Sequence, residues 1–339
     1  MANENVYKIA NLNKVAEKAG VSIATVSRVI NNSPNVNPET RIKVQQIIKE
    51  LKYTPNRVAK RLRNRNASSN LLGVLIPDIQ NPFYVEVLRG IEDIAYANKY
   101  AIIMCNFSQD EKKQQLYLDI LQSESVDGLI AAPTSEHDQK VVQLVKSGLP
   151  IVCVDRGLAD VEVDVVLVEN KQGAFQAVNH LAKAGYKRIA YISGLSQIPS
   201  SQQREQGYIK ALEDNGITID RSLIKYGDSR HESGVKLCKE LLDLPNPPDA
   251  IFTGNNLITL GALETIHNNN LRIPEDIAIV GFDDMYWSIS LNPPLTAVRQ
   301  PAYEIGRRAA EQLISRISDP SRPAISMILK TELMIRNSC

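Results

Sequence analysis

The chain has 339 residues, of which 43% are hydrophobic and 23% are charged, and its formal net charge is +1. This length predicts two or three domains, and the composition excludes a disordered or fibrous protein. The chain has no run of about eighteen apolar residues, which argues against a transmembrane helix, and the opening segment MANENVYKIANLNK lacks the apolar stretch of a secretory signal.

The charge is distributed unevenly. Residues 1–66 contain thirteen Lys or Arg against four Glu and no Asp, a net charge of +9, so the remaining 273 residues total −8. A small basic head on a larger acidic body is typical of a nucleic-acid-binding module joined to another domain.

The basic head predicts a helix-turn-helix. Leu12 to Ala19 has apolar residues at helical spacing, Gly20 supplies a turn, and Ser22 suits the N-cap of a second helix from about Ile23 to Ile30. The second helix of this motif enters the major groove and contacts base edges near its N-terminus. With Val26 inward, the side chains left exposed near that end are Ile23, Ala24, Ser27 and Arg28.

A third helix is predicted from the start motif Asn37-Pro38-Glu39 through Leu51. The apolar residues expected to complete a three-helix core are Ile42, Ile47, Ile48 and Leu51. Any amphipathic three-helix bundle shares this pattern, but the charge of +9 and the polar second helix favour DNA binding.

The segment TPNRVAKRLRNRNASSN follows, in which Lys60, Arg61, Arg63 and Arg65 lie among the apolar Val58, Ala59 and Leu62. One interpretation is a solvated basic linker. The other is a segment that folds only against DNA, with its basic side chains on phosphates and Leu62 wedged between base steps.

From Asn70 onward, short apolar runs alternate with helical stretches such as Phe83 to Asn98 and Lys112 to Ser123. The runs LLGVLIP, AIIMCN, GLIAAP and IVCVD predict buried parallel strands, and RIAYISG, LIKYGD, AIFTG and DIAIVGF repeat the pattern. Two βα arrays of similar size predict two doubly wound α/β lobes with a cleft between them.

Ligands of such sheets bind outside the carboxyl ends of the strands. The residues near these ends are Asp78, Phe83, Asn106, Asp155, Arg156, Asn255 and Asp283, and Arg204 lies at the start of a helix. A single Asp there is often a helix cap, and Phe83 alone is often core. Together they fit a polyol site, because Asp accepts and Arg donates paired hydrogen bonds while an aromatic ring covers the apolar face of a sugar.

The residues VAEKAGVSIATVSRVIN, followed by PNRVAKRL, resemble the N-terminus of the LacI/GalR family of bacterial transcriptional regulators, and the resemblance covers nearly the whole chain after about Asn11. It implies that Pro55 to Leu62 is a hinge helix that orders on operator binding, with Leu62 opening a step in the minor groove. The DNA contacts expected in the headpiece are Ile23, Ala24, Thr25, Ser27, Arg28, Asn31 and Asn35, and those in the hinge are Asn56, Val58, Ala59 and Leu62. One departure is Lys14, where the family usually has an acidic residue.

The resemblance also implies the fold: a small all-α helix-turn-helix domain with a hinge helix, followed by an α/β two-lobed periplasmic-binding-protein-like (type I) domain of doubly wound parallel sheets. The expected domains are the headpiece at 11–54, the hinge helix and linker at 55–69, and the effector-binding and dimerisation domain at 70–339. Lobe 1 would span about 70–168 and 300–327, and lobe 2 about 171–297 and 331–339. Crossovers are expected near 167–170, 296–300 and 328–331, and the helix from Ala302 to Ile317 would return to lobe 1.

For the effector, the resemblance implies contacts from Arg204, Asn255 and Asp283, an aromatic contact from Phe83, and ligand-dependent contacts from Asp155 and Arg156. Asn256 stands where Asp is usual, and Glu169-Asn170 where Asp-Asn is common. Pairing of the two arginines with Asp155 and Asp283 is roughly neutral, which favours an uncharged sugar. A sugar acid, a sugar phosphate and a purine are the alternatives.

The leading interpretation is a cytoplasmic, nucleoid-associated homodimeric repressor that binds a palindromic operator under the control of a small effector. A transport or chemoreceptor protein is the alternative class, and the basic head argues against it. An enzyme is not predicted, because the chain lacks G-x-x-x-x-G-K-[ST], G-x-S-x-G and H-E-x-x-H. No cofactor or metal is expected, and the widely spaced cysteines predict three buried thiols and one terminal thiol.

Overall fold

The computed structural model of the protein describes residues 11–30, 32–53 and 68–339. The chain divides into two compact units, Met1–Ser69 and Asn70–Cys339. Within the described residues, no helix is both long and apolar enough to cross a membrane.

The first unit contains the three predicted helices, α1 (Leu12–Ala19), α2 (Ile23–Ile30) and α3 (Pro38–Glu50). Gly20 ends α1 in the left-handed conformation, with φ of 66°, which glycine adopts without steric cost. The Ser22 hydroxyl accepts a hydrogen bond of 3.1 Å from the Thr25 N–H, and the Asn37 side chain accepts one of 2.9 Å from the Glu39 N–H. The predicted caps at Ser22 and Asn37 are therefore confirmed.

The core of this unit lies between the three helices, and one predicted member is wrong. Its buried residues are Val15, Ala16, Ala19, Val26, Val29, Val36, Val44 and Ile47. Ile48 and Leu51 pack against them, whereas Ile42 is 65% exposed. The reason is helical periodicity: Val44, Ile47, Ile48 and Leu51 follow the i, i+3, i+4, i+7 spacing of one face, and Ile42 falls on the opposite face.

The second unit contains two six-stranded sheets. The strands of the first sheet are β1 (Leu71–Ile76), β2 (Ala101–Asn106), β3 (Gly128–Ala131), β4 (Ile151–Val154), β5 (Asp164–Val168) and β11 (Ser326–Leu329), in the order β11-β5-β4-β3-β1-β2. Those of the second are β6 (Ile189–Ser193), β7 (Ile224–Tyr226), β8 (Ala250–Thr253), β9 (Ala278–Phe282), β10 (Thr296–Arg299) and β12 (Glu332–Met334), in the order β12-β10-β9-β8-β6-β7.

Helices cover both faces of each sheet, as expected for parallel strands with apolar residues on both sides. Around the first sheet, which we call lobe 1, lie α4 (Pro82–Ala97), α5 (Glu111–Ser123), α6 (Gln139–Lys146) and α11 (Ala302–Ser318). Around the second, lobe 2, lie α7 (Asn170–Lys183), α8 (Pro199–Asp214), α9 (His231–Leu242) and α10 (Asn256–Asn268). The cysteine prediction is confirmed: Cys105, Cys153 and Cys238 are buried thiols, and Cys339 is partly exposed.

The chain passes between the two sheets three times, after Val168, after Arg299 and after Leu329. Every strand pairing is parallel except that of β10 with β12. Only two residues connect β11 to β12, so the chain enters lobe 2 in the direction in which it left lobe 1. The strands β6 to β10 of lobe 2 run toward the cleft, because residues that follow their carboxyl ends line it. β12 starts from the same side and runs away from the cleft, so it is antiparallel to β10.

Candidate functional site

The N-terminal end of α2 presents most of the residues expected to contact DNA. Ile23 and Ala24 are exposed there, Arg28 is exposed in the last turn of α2, and Asn35 is exposed in the loop before α3. Thr25 and Ser27 are partly buried, and the Thr25 hydroxyl lies 2.9 Å from that of Ser22. The first turn of α2 contains no acidic residue, so the positive end of its dipole is available to phosphate or base acceptors.

Five residues expected to contact DNA lie outside the described residues: Asn31, Asn56, Val58, Ala59 and Leu62. The proposed hinge helix from Pro55 to Leu62 falls there as a whole. These assignments stay predictions.

All six residues expected to contact the effector line one cleft between lobe 1 and lobe 2: Phe83, Asp155, Arg156, Arg204, Asn255 and Asp283. Asp78 lines it as well, whereas Asn106 does not and is replaced by Ser108. The cavity volume is about 60 Å³. Ligand pockets commonly measure about 300–1,000 Å³, so the cleft is narrow in this structure.

The lobe 1 wall is an interlocked group of Tyr84, Asp155 and Arg156. The Tyr84 hydroxyl donates to Asp155 Oδ2 at 3.2 Å, while Arg156 Nε donates to the same oxygen at 3.0 Å. Arg156 Nη2 donates to the Tyr84 hydroxyl at 3.3 Å. Arg156 is 3% exposed, and its buried Nη1 has no hydrogen-bond partner in the described part of the chain. Because an unpaired buried donor is costly, an acceptor oxygen of a ligand would stabilise this group.

In the lobe 2 wall, Arg204 lies opposite this group. Its Nε donates to Asn170 Oδ1 at 2.9 Å, and its Nη1 donates to the Gly254 carbonyl at 2.6 Å. The guanidinium carbon stacks 3.8 Å from the centre of the Phe282 ring. Two nitrogens and one face of the guanidinium are therefore held by the protein.

Asp283 is the buried carboxylate of the same wall. Its Oδ1 accepts from Gln300 Nε2 at 2.5 Å, and its Oδ2 accepts from the Asn256 N–H at 3.4 Å. Burial raises the pKa of Asp283 above its ordinary value, although the charge of Arg204 opposes the rise. Asp155 and Asp283 both follow strands and have positive φ, 66° and 77°. Such backbone strain in non-glycine residues concentrates at functional sites.

Asn255 and Phe83, which both line the cleft, also make contacts within the protein. The Asn255 side chain caps α10 by accepting from the Ile258 N–H at 2.8 Å, and it donates to the Ser229 carbonyl at 2.9 Å. Both of its polar atoms are therefore engaged by the protein. Phe83 begins α4 and packs edge-to-face on Tyr84, with ring centres 5.0 Å apart, so it forms an apolar part of the wall.

Two hydrogen bonds connect the lobes across the cleft. Asn256 Nδ2 donates to Asn81 Oδ1 at 2.9 Å, and Arg230 Nη2 donates to the Ser108 carbonyl at 3.3 Å. These bonds join residues of lobe 2 to residues of lobe 1, so they stabilise the narrow form of the cleft.

Sequence reasoning missed several residues of the cleft: Asn81, Tyr84, Ser108, Arg230 and Gln300. Gln300 follows the carboxyl end of β10, where ligands of such sheets bind, so the sequence contains a signal for this residue. Asn81 precedes Pro82 in a helix-start motif, which indicates a cap and carries no information about the opposite lobe.

Fold and site together define a class of protein. A helix-turn-helix unit is joined in one chain to a two-lobed α/β unit with a polar cleft between its lobes. Residues 11–56 match the family model of bacterial regulatory proteins, lacI family. Residues 69–334 match the model of periplasmic binding proteins and sugar binding domain of LacI family. The chain therefore belongs to the LacI family of bacterial transcriptional regulators.

Several proteins of known name or structure are similar to this chain over most of its length. Catabolite control protein A of Priestia megaterium is 39% identical over 300 residues, which cover 88% of this chain and 90% of that protein. The structure of the transcriptional regulator CelR in complex with cellobiose matches with a TM-score of 0.74 and 32% identity, covering 97% of this chain and 100% of that one. The lac repressor dimer bound to operator and the anti-inducer ONPF matches with a TM-score of 0.83 and 27% identity, covering 98% and 99%.

Proposed function

We propose that this protein is a dimeric repressor whose affinity for operator DNA is controlled by a small neutral sugar bound in the cleft. The observation that carries the proposal is the pairing of charges across the cleft: the Asp155–Arg156 pair of lobe 1 faces Asp283 and Arg204 of lobe 2. Alternating carboxylate acceptors and guanidinium donors suit vicinal hydroxyls, and Phe83 offers an apolar surface.

The charge of the cleft argues against a phosphorylated effector. The acidic lining residues are Asp78, Asp155, Asp228 and Asp283, and the basic ones are Arg156, Arg204 and Arg230. A phosphate group would need basic residues in excess, and the lining has an acidic excess instead. The cellobiose complex of a matched regulator also favours a neutral sugar.

A sugar acid is the second candidate, and the unpaired Nη1 of Arg156 favours it. A carboxylate of the ligand would accept from this nitrogen in a charge-assisted hydrogen bond.

For DNA binding, we propose that the headpiece at 11–54 occupies the major groove through Ile23, Ala24 and Arg28, and that the hinge at 55–69 contributes Leu62 as a wedge. Sugar binding would change the lobe arrangement and thereby the ability of two hinge segments to pair on the operator. Couplings of this kind commonly amount to about 1–3 kcal/mol.

A thermal-shift screen of the full chain tests the ligand. Neutral sugars, sugar acids, sugar phosphates and purines are compared at saturating concentration, where a ligand at about 100 times its Kd adds about 2.7 kcal/mol of stability. We expect one neutral sugar to raise the Tm selectively. Asp283→Ala should abolish the shift while leaving operator binding intact, and loss of operator binding by this variant would contradict the site assignment.

Leu62→Ala tests the wedge. We expect affinity for a specific operator to fall far more than affinity for unrelated DNA, because only the specific complex opens a base step. Equal losses in the two affinities, measured by fluorescence anisotropy at one salt concentration, would refute the wedge.

A further inference from the structure

Arg204 is held by three neighbours, and one of them lies on the connection between the lobes. Gly254 and Phe282 belong to lobe 2, as Arg204 itself does. Asn170, which accepts from Arg204 Nε at 2.9 Å, directly follows the first passage of the chain from lobe 1 to lobe 2. Arg204 is thus anchored both to its own lobe and to the first crossover.

Asn170 is 2% exposed, and both atoms of its amide are used. Its Oδ1 accepts from Arg204, and its Nδ2 lies 3.3 Å from Gln203 Oε1 and 3.5 Å from the carbonyl of Val168, the last residue of β5. A buried amide is tolerated only when it is hydrogen-bonded, and this one is bonded to the lobe 1 strand on one side and to the lobe 2 arginine on the other.

This side chain is not needed to begin helix α7. The N-cap position is Glu169, and no side-chain hydrogen bond caps the helix. Nothing in the capping of α7 therefore accounts for an asparagine at 170, whereas the contact with Arg204 does.

Because the Asn170 amide is neutral, it does not neutralise the charge of Arg204. An aspartate at this position would form an ion pair with the guanidinium and would compete with a ligand for its charge. With the neutral Asn170, the charge of Arg204 still acts on Asp283, where it opposes the rise in pKa that burial causes.

We propose that Asn170 is a positioning residue that sets the orientation of Arg204 and couples it to the first crossover. When the lobes rotate about the crossover, the amide moves with the backbone of Val168 and turns the guanidinium with it. Binding of a ligand to Arg204 therefore shifts the conformational equilibrium of the crossover, and the conformation of the crossover in turn changes the affinity for the ligand. This inference rests on the proposed function for its biological meaning, because Arg204 is the ligand contact of that proposal.

The orientation of Arg204 can be measured without any ligand. In ¹H–¹⁵N spectra of the full chain, the Arg204 Nε–H resonance is the one absent from Arg204→Lys. We expect slow solvent exchange of this proton in the wild type, fast exchange in Asn170→Leu, and slow exchange again in Asn170→Asp, which restores an acceptor. If the leucine variant does not fold, Asn170→Ser, whose side chain is too short to reach Nε, replaces it with the same expectation. Unchanged exchange in the leucine or serine variant would overturn the proposal.

Ligand binding supplies the second measurement, with cellobiose as the probe. We expect Asn170→Leu to weaken cellobiose binding at least tenfold and Asn170→Asp to recover part of the loss. Asn179→Leu is the matched control, because Asn179 lies on the same helix and accepts from Asn215 Nδ2 at 2.9 Å instead. Equal effects of the two leucine variants would indicate a merely structural role and overturn the proposal. Failure of wild-type protein to bind cellobiose or any other sugar would contradict the proposed function alone, since the exchange measurement decides the role of Asn170 independently.

Discussion

The carboxylate of Asp164, at the start of β5, is fully buried and shared by two arginines. Arg316 Nε donates to its Oδ2 at 2.9 Å, and Arg322 Nη1 donates to its Oδ1 at 2.9 Å. The Ile325 N–H completes the set at 2.8 Å. Burial raises the pKa of Asp164, but the hydrogen bonds from the two arginines outweigh burial and hold the pKa below its ordinary value. The group joins β5, the end of α11 and the approach to β11.

Asp164→Asn should strongly destabilise the lobe, because two mostly buried guanidinium groups lose their counter-charge. Breaking a buried ion pair in this way costs about 3–5 kcal/mol, and the Tm should fall by roughly 6–10 °C. Thermal unfolding at pH 7 measures the loss. Asp119→Asn, which removes an exposed partner of Lys140, is the control and should change the Tm little.

The pH dependence of this loss has a defined sign. A carboxyl group whose folded pKa is lowered contributes stability at any pH above its unfolded pKa, of about 3.9. The contribution disappears as the pH falls through the folded value. The Tm difference between wild type and Asp164→Asn should thus be constant from pH 7 to pH 5 and shrink only below about pH 4. A difference that shrinks between pH 7 and pH 5 would show that another group titrates.

At this scale, the sequence predicts cleft residues that follow recognisable apolar runs, and it does not show cleft residues whose place depends on contacts with distant parts of the chain. Asp155 and Asp283 can be predicted from sequence because each ends a recognisable apolar run. Tyr84 becomes part of the wall through its contact with Asp155, 71 positions away in the chain, which no local pattern indicates. The prediction for Ile42 is wrong because the hydrophobicity of a residue does not show on which face of a helix it lies.

At the scale of elements, helices pack in pairs through glycines. In the α4–α11 pair, a Cβ added to Gly306 would overlap the carbonyl oxygen of Val87, and one added to Gly90 would overlap that of Tyr303. Gly234 and Gly261 have the same relation in the α9–α10 pair. The missing side chains allow the helix backbones to approach closely.

Gly306→Ala should therefore separate α11 from α4. The backbone oxygen cannot move without displacing a helix, so the cost should reach the upper part of the range of about 1–3 kcal/mol known for overpacked cores. Chemical denaturation with a linear extrapolation measures it. Gly157→Ala is the control, because a Cβ there would make only an ordinary contact of 3.6 Å with Val165. Equal stability of the two variants would contradict the close-packing argument.

Strands, helices and caps of the chain follow from local sequence, whereas the connections between them do not. The three headpiece helices begin and end where caps and spacing predict. Assigning the late strands to one sheet or the other required the family resemblance, since β10, β11 and β12 are short and differ little in local pattern. The antiparallel orientation of β12 cannot be predicted from the two residues that precede it, because this orientation depends on how the two lobes are arranged.

At the scale of the whole second unit, three passages of the chain join the two lobes, and the cleft between the lobes is narrow. The contact between Asn256 and Asn81 involves the start of α10 in lobe 2 and the residue that caps α4 in lobe 1. Asn256 is completely buried. A hydrogen bond between neutral groups contributes about 0.5–1.5 kcal/mol, which is enough to change the balance between open and closed forms several-fold.

Asn256→Ala should shift that balance toward the open form. The substitution removes the donor to Asn81 Oδ1 but retains the backbone N–H that faces Asp283. If ligand binds the closed form, apparent affinity falls with the closed population, by about 2–10-fold for one hydrogen bond. Double electron–electron resonance between labels at positions 111 and 232, in a Cys339→Ser background, should report a longer distance without ligand.

Two further variants make this test specific. Asn256→Asp places a carboxylate against the Asn81 oxygen, so two acceptors meet, and we expect it to open the cleft at least as far as alanine does. Asn269→Ala, on the other end of α10, removes only a bond of 2.8 Å to the Thr265 carbonyl and should leave the label distance unchanged. If Asn256→Ala leaves both the distance and the ligand affinity unchanged, this bond does not hold the lobes together, and the narrow cleft must depend on Arg230 and Ser108 instead.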